Sequence, residues 1–331
     1  MRAVTTVGDG TIEVREHPDP EPAPGEVLVR VAGAGLNRAD LMQRAGFYPA
    51  PAGSPPDIPG MEFAGTVIAR GGEVEHPELG AHVFGITGGG AQAELVTVPA
   101  GQCATVPAGL DLVTMGGVPE AFVTAHDAMC TQARVAAGEW VLVHAVGSGV
   151  GTAALQLAKA LGSRVVGTSR TAAKLEQCRP LGLDHGIVPA TGTDGALDVA
   201  ALAAEITRVT GGGAHVVLDL VAGAYVEADV AAAAHGGRIV LIGALAGGEA
   251  TLQILTVMQR RLRLFGTMLR SRTAAEKAGA TDAFARDVVP LLAAGTIAPV
   301  IDTIVPLAEA RDAYDRLATD VTIGKIILQA G

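Results

Sequence analysis

The stretch WVLVHAVGSGVGTAALQLAKALG, residues 140–162, constrains the chain more than any other. Residues 140–145 form an apolar run that reads as a buried strand. Gly147, Gly149 and Gly151 follow as a turn, and Leu155, Leu157, Ala158 and Leu161 are the apolar members of a helix that opens at once. Glycines let the backbone turn sharply and approach a pyrophosphate, while the free N–H groups and positive dipole end of the helix bind its charge. Strand, turn and helix together read as a dinucleotide-binding entrance. The spacing departs from G-x-G-x-x-G, because with Gly151 in the last place the first two fall on Val146 and Ser148. The turn alone does not settle the matter.

The chain around it supplies context. From Pro119 onward, helical and strand patterns alternate: PEAFVTAHDAMCTQARV, the residue-140 strand and its helix, a strand over 164–169, a helix over 172–181, and a short strand over 185–188. A helix over 196–209, the strand AHVVLDLV, a helix through Ala234 and the strand GRIVLIGAL follow, with RLRLFGTM at 261–268 as a sixth, edge strand. Continuous apolar strands alternating with helices predict a parallel sheet covered on both faces. The first third is β-rich and irregular instead. A hairpin over 1–7 and 11–16 leads through Pro18, Pro20, Pro22 and Pro24 to the alternating strand GEVLVRVAGAGLN, a helical pattern over 38–44 and the proline-rich loop PAPAGSPPDIPG. GMEFAGTVIARG and HVFGITGGGAQAELVTVP add strands, and the glycines 88–90, lying between two strands rather than before a helix, read as a hairpin turn. The end returns to a helix over 274–294, a strand over 301–305, a helix over 307–318 and the strand GKIILQ. A single core stops growing at about 250–300 residues, so 331 residues predict two domains. The first is discontinuous, 1–120 with 269–331, around a second over 121–268.

Several function classes fall away. A net charge of −10, from 24 basic and 34 acidic side chains without a basic stripe, argues against a nucleic-acid partner. No stretch reaches the roughly 18 apolar residues of a spanning helix, and the N-terminus lacks a charged-then-apolar signal, so a cytoplasmic protein without a membrane partner is expected. Cys103, Cys130 and Cys178 lack any C-x-x-C pairing and read as reduced thiols. No metal site is expected, since His126 and Cys130 stand one helical turn apart with no third ligand nearby. Nor is Ser148 a hydrolase nucleophile, because a nucleophile elbow needs glycines where Val146 and Val150 stand. About 20 residues past the glycine turn, an acidic residue would hold the ribose hydroxyl of NAD and a cation the 2′-phosphate of NADP. The sequence there, GTSRTAAK, has no carboxylate and offers Ser169, Arg170 and Lys174, which favours NADPH.

The ordered segments GEVLVRV, GLNRADLMQRAGFYP, PGMEFAGTV, PEAFVTA, HAVGSGVG, IGALAGG, FGTMLRSR and IGKIIL resemble the quinone oxidoreductase branch of the medium-chain dehydrogenase/reductase superfamily, over essentially the whole chain. The resemblance is nearest to the NADPH-dependent, p53-inducible type. It implies an α/β protein in which a doubly wound parallel-sheet Rossmann domain is inserted in a GroES-like β-rich catalytic domain, with the active site in the cleft between them. In the superfamily's zinc alcohol dehydrogenases the Asn37 place is a cysteine ligand and the Met61 place a histidine; neither residue here suits zinc, and the four cysteines of the structural zinc lobe are absent. The chemistry then implied is zinc-free hydride delivery to a quinone or to an alkene conjugated to a carbonyl. Carried over by position, Asn37, Asp40 and Tyr48 line the substrate cleft and Ser148 lies at the cofactor turn. Tyr48 either donates a hydrogen bond or proton to the reduced oxygen or only walls the pocket, and Asp40 leans toward a structural role. Thr124 faces the nicotinamide, Gly147, Gly149 and Val150 cradle the pyrophosphate, Gly243, Ala244 and Leu245 pass along the cofactor, and Phe265 and Lys325 close the far side. One departure weakens NADPH over NADH: where this type can place a tyrosine after the third strand, Pro189 stands, leaving Arg170 to compensate. The resemblance also implies a homodimer or homotetramer built on the edge strand, whose LRLFGTM is apolar enough to need covering. Two rivals remain, an enoyl or enone reductase of a biosynthetic pathway and a low-turnover NADPH-binding structural or regulatory protein.

Overall fold

The alternation in GEVLVRV becomes a strand, Glu26–Gly35, that turns Val27, Val29 and Val31 into a core where each is at most 1% exposed. The computed structural model describes residues 1–331. They form two units, Met1–Thr124 with Leu269–Gly331, and Ala125–Met268.

In the first unit that strand sits within a seven-stranded sheet ordered Ile301–Pro306, Lys325–Gln329, Glu26–Gly35, Glu62–Arg70, His82–Ile86, Cys103–Thr105, with Leu95–Pro99 also pairing Glu26–Gly35. All pairs are antiparallel except Ile301–Pro306 with Lys325–Gln329. Phe63, Val67, Tyr314, Ile326 and Leu328 fill the same core. Tyr314 is wholly buried, and its hydroxyl donates to Gln92 Oε1 at 2.8 Å, itself in a wholly buried residue. Tyr314→Phe should therefore cost about 1–3 kcal/mol, the penalty for leaving a buried acceptor unmade. Urea midpoints check it, and a loss within a few tenths would contradict it.

The glycines 88–90 are not a hairpin turn. His82–Ile86 pairs Glu62–Arg70 and Cys103–Thr105, whereas Leu95–Pro99 pairs Glu26–Gly35, so the two strands flanking the glycines never meet. The glycines answer instead to close packing under the proline-rich loop: a Cβ on Gly88 would lie 2.3 Å from Ser54 Oγ and 2.7 Å from Pro51 Cγ.

The second unit is a six-stranded, wholly parallel sheet in the order His185–Ile187, Arg164–Thr168, Trp140–Val143, Ala214–Asp219, Ala233–Leu241, Arg263–Gly266. Val141, Leu142, Val165, Val166, Val216, Val217 and Leu218 are 0% exposed, as continuous apolar strands covered on both faces must be. From Trp140–Val143 the chain steps outward twice, then crosses back to Ala214–Asp219 on the other side. Ligands of such sheets bind at that reversal, beyond the carboxyl ends of the strands. Arg263–Gly266 is the sheet edge, and the helix before it, Ile254–Arg260, buries no residue: Ile254, Leu255 and Met258 are 61%, 64% and 68% exposed. No helix is long and apolar enough to cross a membrane.

Candidate active site

In the second unit the turn after Trp140–Val143 leads into the helix Gly149–Ala160. Ser148 caps this helix, its hydroxyl accepting the Gly151 N–H at 3.1 Å, which leaves the Gly149 and Val150 amides at the helix start. The departure from the glycine fingerprint at Ser148 is thus a helix cap. Gly151 needs to be glycine because a Cβ there would meet Ala145 O at 2.5 Å and Val146 O at 2.7 Å. Close approach of another kind keeps Gly243, whose Cβ would lie 2.6 Å from Leu220 O. Lys174 lays its stem along Gly147, 3.4 Å from where a Cβ would sit. Ser169 is buried just past Arg164–Thr168, Arg170 is exposed beside it, and Ala244 and Leu245 are exposed beyond Ala233–Leu241. Phe265 lies half-buried on the edge strand. Helix amides, a backbone free of side chains and two nearby cations fit a dinucleotide pyrophosphate and its phosphates.

Beneath this turn lies a buried polar group that the sequence reading passed over. His144 donates or accepts at 2.8 Å with Thr168 Oγ1 through Nδ1, and pairs through Nε2 with Asp229 Oδ1 at 2.7 Å. Both His144 and Asp229 are wholly buried, as is Asp219. Burial alone would lower the imidazole's pKa, but the carboxylate of Asp229 outweighs it and raises it. The signal was a histidine inside an apolar strand run, a residue that must find partners when buried.

In the first unit the helix Arg38–Arg44 starts directly after Glu26–Gly35. Asp40, at its third position, accepts the Asn37 backbone N–H at 2.7 Å and the Gln92 amide at 3.1 Å, the return half of a capping box. It is wholly buried, and burial pushes its carboxyl up to about 6 against the pull of the Asn37 amide and of Lys325. Asn37 turns its amide into a second knot: Nδ2 donates to Glu62 Oε1 at 2.9 Å, and Oδ1 accepts Lys325 Nζ at 2.7 Å. Lys325 also donates to Leu36 O at 2.6 Å and pairs Glu62 Oε1 at 2.6 Å, so its three N–H groups are taken within the unit. It thereby ties Leu36, Asn37 and Glu62 together. Gly35 makes room for this pair, since a Cβ would lie 2.3 Å from Glu62 Oε1.

Tyr48 is half-buried, with the Arg270 guanidinium 4.9 Å above its ring. Arg270 is fixed by Gly88 O at 2.8 Å, Tyr48 O at 3.2 Å and Gln43 Oε1 at 2.5 Å. Burial pushes the Tyr48 phenol above its ordinary 10.0, with Arg270 opposing, so the hydroxyl remains a hydrogen-bond donor at neutral pH. Thr124 is 8% exposed and its hydroxyl has no partner, an orphaned polar atom of the kind a ligand satisfies. Sequence reasoning did not single out Glu62 and Arg270 as site residues, nor Glu120 or Lys277. Their signal was charge embedded in apolar stretches such as GMEFAGTV and PEAFVTA.

Residues 149–287 match the zinc-binding dehydrogenase family and residues 23–108 the alcohol dehydrogenase GroES-like domain. The synaptic vesicle membrane protein VAT-1 homolog of Rattus norvegicus is 30% identical over 94% of this chain and 78% of its own length. The chain belongs to the medium-chain dehydrogenase/reductase superfamily. A phthioceranic/hydroxyphthioceranic acid synthase of Mycobacterium bovis is 32% identical over 98% of this chain, which spans 15% of that protein's length. Among solved structures, an NAD-dependent alcohol dehydrogenase superposes with a TM-score of 0.83 at 31% identity, covering 100% of both chains. A mycobacterial quinone oxidoreductase does so at 0.84 and 28% over 99% of each. A mycobacterial protein complexed with NADPH reaches 0.86 at 28%, covering 99% of this chain and 100% of its own. The fold of this medium-chain dehydrogenase/reductase is thus a GroES-like domain with a parallel-sheet Rossmann domain, and its class is oxidoreductase with a nicotinamide cofactor.

A zinc ion, which the first family's description implies, does not fit the residues here. Asn37 and Glu62 already coordinate the ammonium of Lys325, and Met61 brings a thioether buried in the core. Zinc sites of proteins take thiolate, imidazole and carboxylate donors, and a resident ammonium repels a second cation from them.

Proposed function

We propose that the chain is an NADPH-dependent reductase of quinones or other electron-poor conjugated carbonyl compounds that works without zinc, nearest to the p53-inducible type of quinone oxidoreductase. The observation that carries this reading is Lys325, whose ammonium occupies the donors Asn37 and Glu62. Without a Lewis acid to polarise an alcohol or an isolated carbonyl, the acceptor must already be electron-poor. When bound, the reduced nicotinamide supplies a hydride. Gly147, Gly149 and Val150 hold the pyrophosphate at the helix start, Gly243, Ala244, Leu245 and Phe265 flank the dinucleotide, and the Thr124 hydroxyl meets the nicotinamide end. Tyr48, oriented by Arg270, hydrogen-bonds the acceptor's oxygen in a pocket that Asn37 and Asp40 help to shape. The relative solved with NADPH and the quinone oxidoreductase support the choice of cofactor and acceptor.

Ser169, Arg170 and Lys174 are the proposed 2′-phosphate site. A charge-assisted hydrogen bond is worth about 1.5–3 kcal/mol, so Arg170→Ala or Lys174→Ala should raise KM for NADPH by about ten- to a hundredfold and leave KM for NADH nearly unchanged. Equal effects on the two cofactors would refute that site. For the reaction itself, the protein is mixed with NADPH and a panel of quinones and enones while cofactor absorbance is followed. Consumption on quinones supports this reading. Preference for enoyl thioesters would instead favour a biosynthetic enoyl reductase, as the match to part of a phthioceranic acid synthase suggests. Tight NADPH binding with no consumption would indicate a structural or regulatory protein. The protein is further proposed to be cytoplasmic and to form a homodimer or homotetramer through the edge strand Arg263–Gly266, covering the exposed Ile254, Leu255 and Met258.

A further inference from the structure

We propose that Glu120, an unpartnered carboxyl of the first unit, is the proton donor to the reduced acceptor; this rests on the reductase reading above. Glu120 is the second residue of the helix Pro119–His126. Its backbone N–H donates to Glu62 Oε2 at 2.9 Å, and Glu62 is itself locked by Asn37 and Lys325, so the main chain of Glu120 is held in place. The side chain is treated differently. It is half-buried, yet its carboxyl makes no hydrogen bond or ion pair within the protein, unlike the carboxyls of Asp40 and Glu62 beside it. A carboxyl that is fixed at the backbone, half-buried and unpartnered at its oxygens is placed to meet a ligand.

The charges around it come from every element packed near it: Glu62 and Asp40 of like sign, and Lys325 and Lys277 of opposite sign. Tyr48 and Arg270 feel its charge in turn. Burial first, and then the negative charge of Glu62, push the Glu120 carboxyl up to about 8. It therefore carries its proton at neutral pH. A donor is most effective when its pKa lies near the working pH, and the Tyr48 phenol, held above 10.0, is a poorer acid there than Glu120. Tyr48 is left to orient the oxygen while Glu120 gives up the proton.

The step balances without further reactants. A bound reduced dinucleotide would supply the hydride, a proton with two electrons, to the electron-poor end of the acceptor's conjugated system and would itself be oxidised. The π pair of the acceptor moves through the conjugated system onto oxygen. The O–H bond of Glu120 then breaks and its proton bonds to the oxygen that received the pair, giving the hydroquinone or, from an enone, an enol that tautomerises to the saturated carbonyl; the carboxylate left behind regains a proton from water.

The test uses the full chain and Glu120→Gln, which keeps shape and removes the acid, with Glu120→Asp as a second variant that keeps an acid on a shorter arm. Three quantities are measured: carboxyl protonation between pH 6 and 10 by infrared difference spectroscopy, NADPH affinity by fluorescence, and single-turnover NADPH oxidation on the best acceptor across the same range. Expected are a carboxyl titrating near 8 in the parent and absent from Glu120→Gln, unchanged NADPH affinity, and an oxidation rate that falls as pH rises through that value. In Glu120→Gln the rate should drop by about 10²–10³-fold and lose that pH dependence, with partial recovery in Glu120→Asp. Turnover by the parent without the titrating carboxyl, or an unimpaired Glu120→Gln, would overturn the donor role alone. No turnover by the parent on any acceptor would overturn the reductase reading, and the donor role with it.

Discussion

Lys325→Met will destabilise the first unit by about 3–5 kcal/mol, the cost of leaving one member of a buried ion pair without its partner. Glu62 is 0% and Lys325 4% exposed, and they meet at 2.6 Å. Removing the ammonium strands the Glu62 carboxylate in the interior with only the Asn37 and Glu120 N–H groups to hold it. It also releases Asn37 Oδ1 and Leu36 O, two acceptors that lose their donor together. The double variant Lys325→Met, Glu62→Gln should recover much of the loss, because the stranded charge is gone and replacement of both members of such a pair is often close to neutral. Urea unfolding of the parent, both single variants and the double variant closes the cycle. A single-variant loss below about 1 kcal/mol, the range of exposed pairs, would show that the pair carries little, and the account of why zinc does not fit would lose its main support.

How far the sequence led depended on whether the relevant contact was local. The hairpin, the strand Glu26–Gly35, the short helix Arg38–Arg44 and the six parallel strands follow from alternation, continuous apolar runs and punctuation, all readable within about a dozen residues. The helix expected over 274–294 is instead two, Ala274–Asp287 and Val289–Ala293. Pro290, in the first turn of the second helix, cannot continue the first one's hydrogen-bond ladder. The helix Ile254–Arg260 was not read from the sequence, although Ile254, Leu255, Val257 and Met258 fall at helical spacing; none of its residues is fully buried. The hairpin expected at Gly88 failed for another reason, since strand partners come from register with distant segments, and both flanking strands found better ones.

The site shows the same division. The turn after Trp140–Val143 was legible as a local motif, and the structure adds why Ser148 stands where it does: it caps the helix. The knot of Asn37, Glu62, Lys325 and Glu120 joins residues up to 288 apart in sequence, with nothing in any single stretch to announce the pairing. What each stretch did carry was a charged residue flanked by apolar ones, which cannot be buried alone.

His144→Leu will destabilise the second unit by about 3–5 kcal/mol near neutral pH, again by breaking a buried pair, and its pH dependence separates this cause from simple repacking. Asp229 and His144 are both 0% exposed and 2.7 Å apart. Asp229 Oδ2 is buried without a hydrogen-bond partner, and the like charge of nearby Asp219 adds to the rise of the Asp229 pKa. Burial first, offset by His144, places the Asp229 carboxyl at about 6, above its ordinary 3.8. A carboxyl raised on folding stabilises below its unfolded value and loses that contribution as pH rises through the folded one. His144, raised above 6.5 in the folded state, likewise contributes fully below that value and loses its contribution as pH rises through the higher one. Without the imidazolium, Asp229 rises further and takes up a proton at neutral pH, so the variant should recover stability as pH falls from 8 toward 5. Chemical denaturation of parent and variant across that range measures the gap. A gap that stays constant with pH would show that lost packing, including the edge contact of His144 with the Tyr225 ring at 4.9 Å, accounts for the effect without the charge.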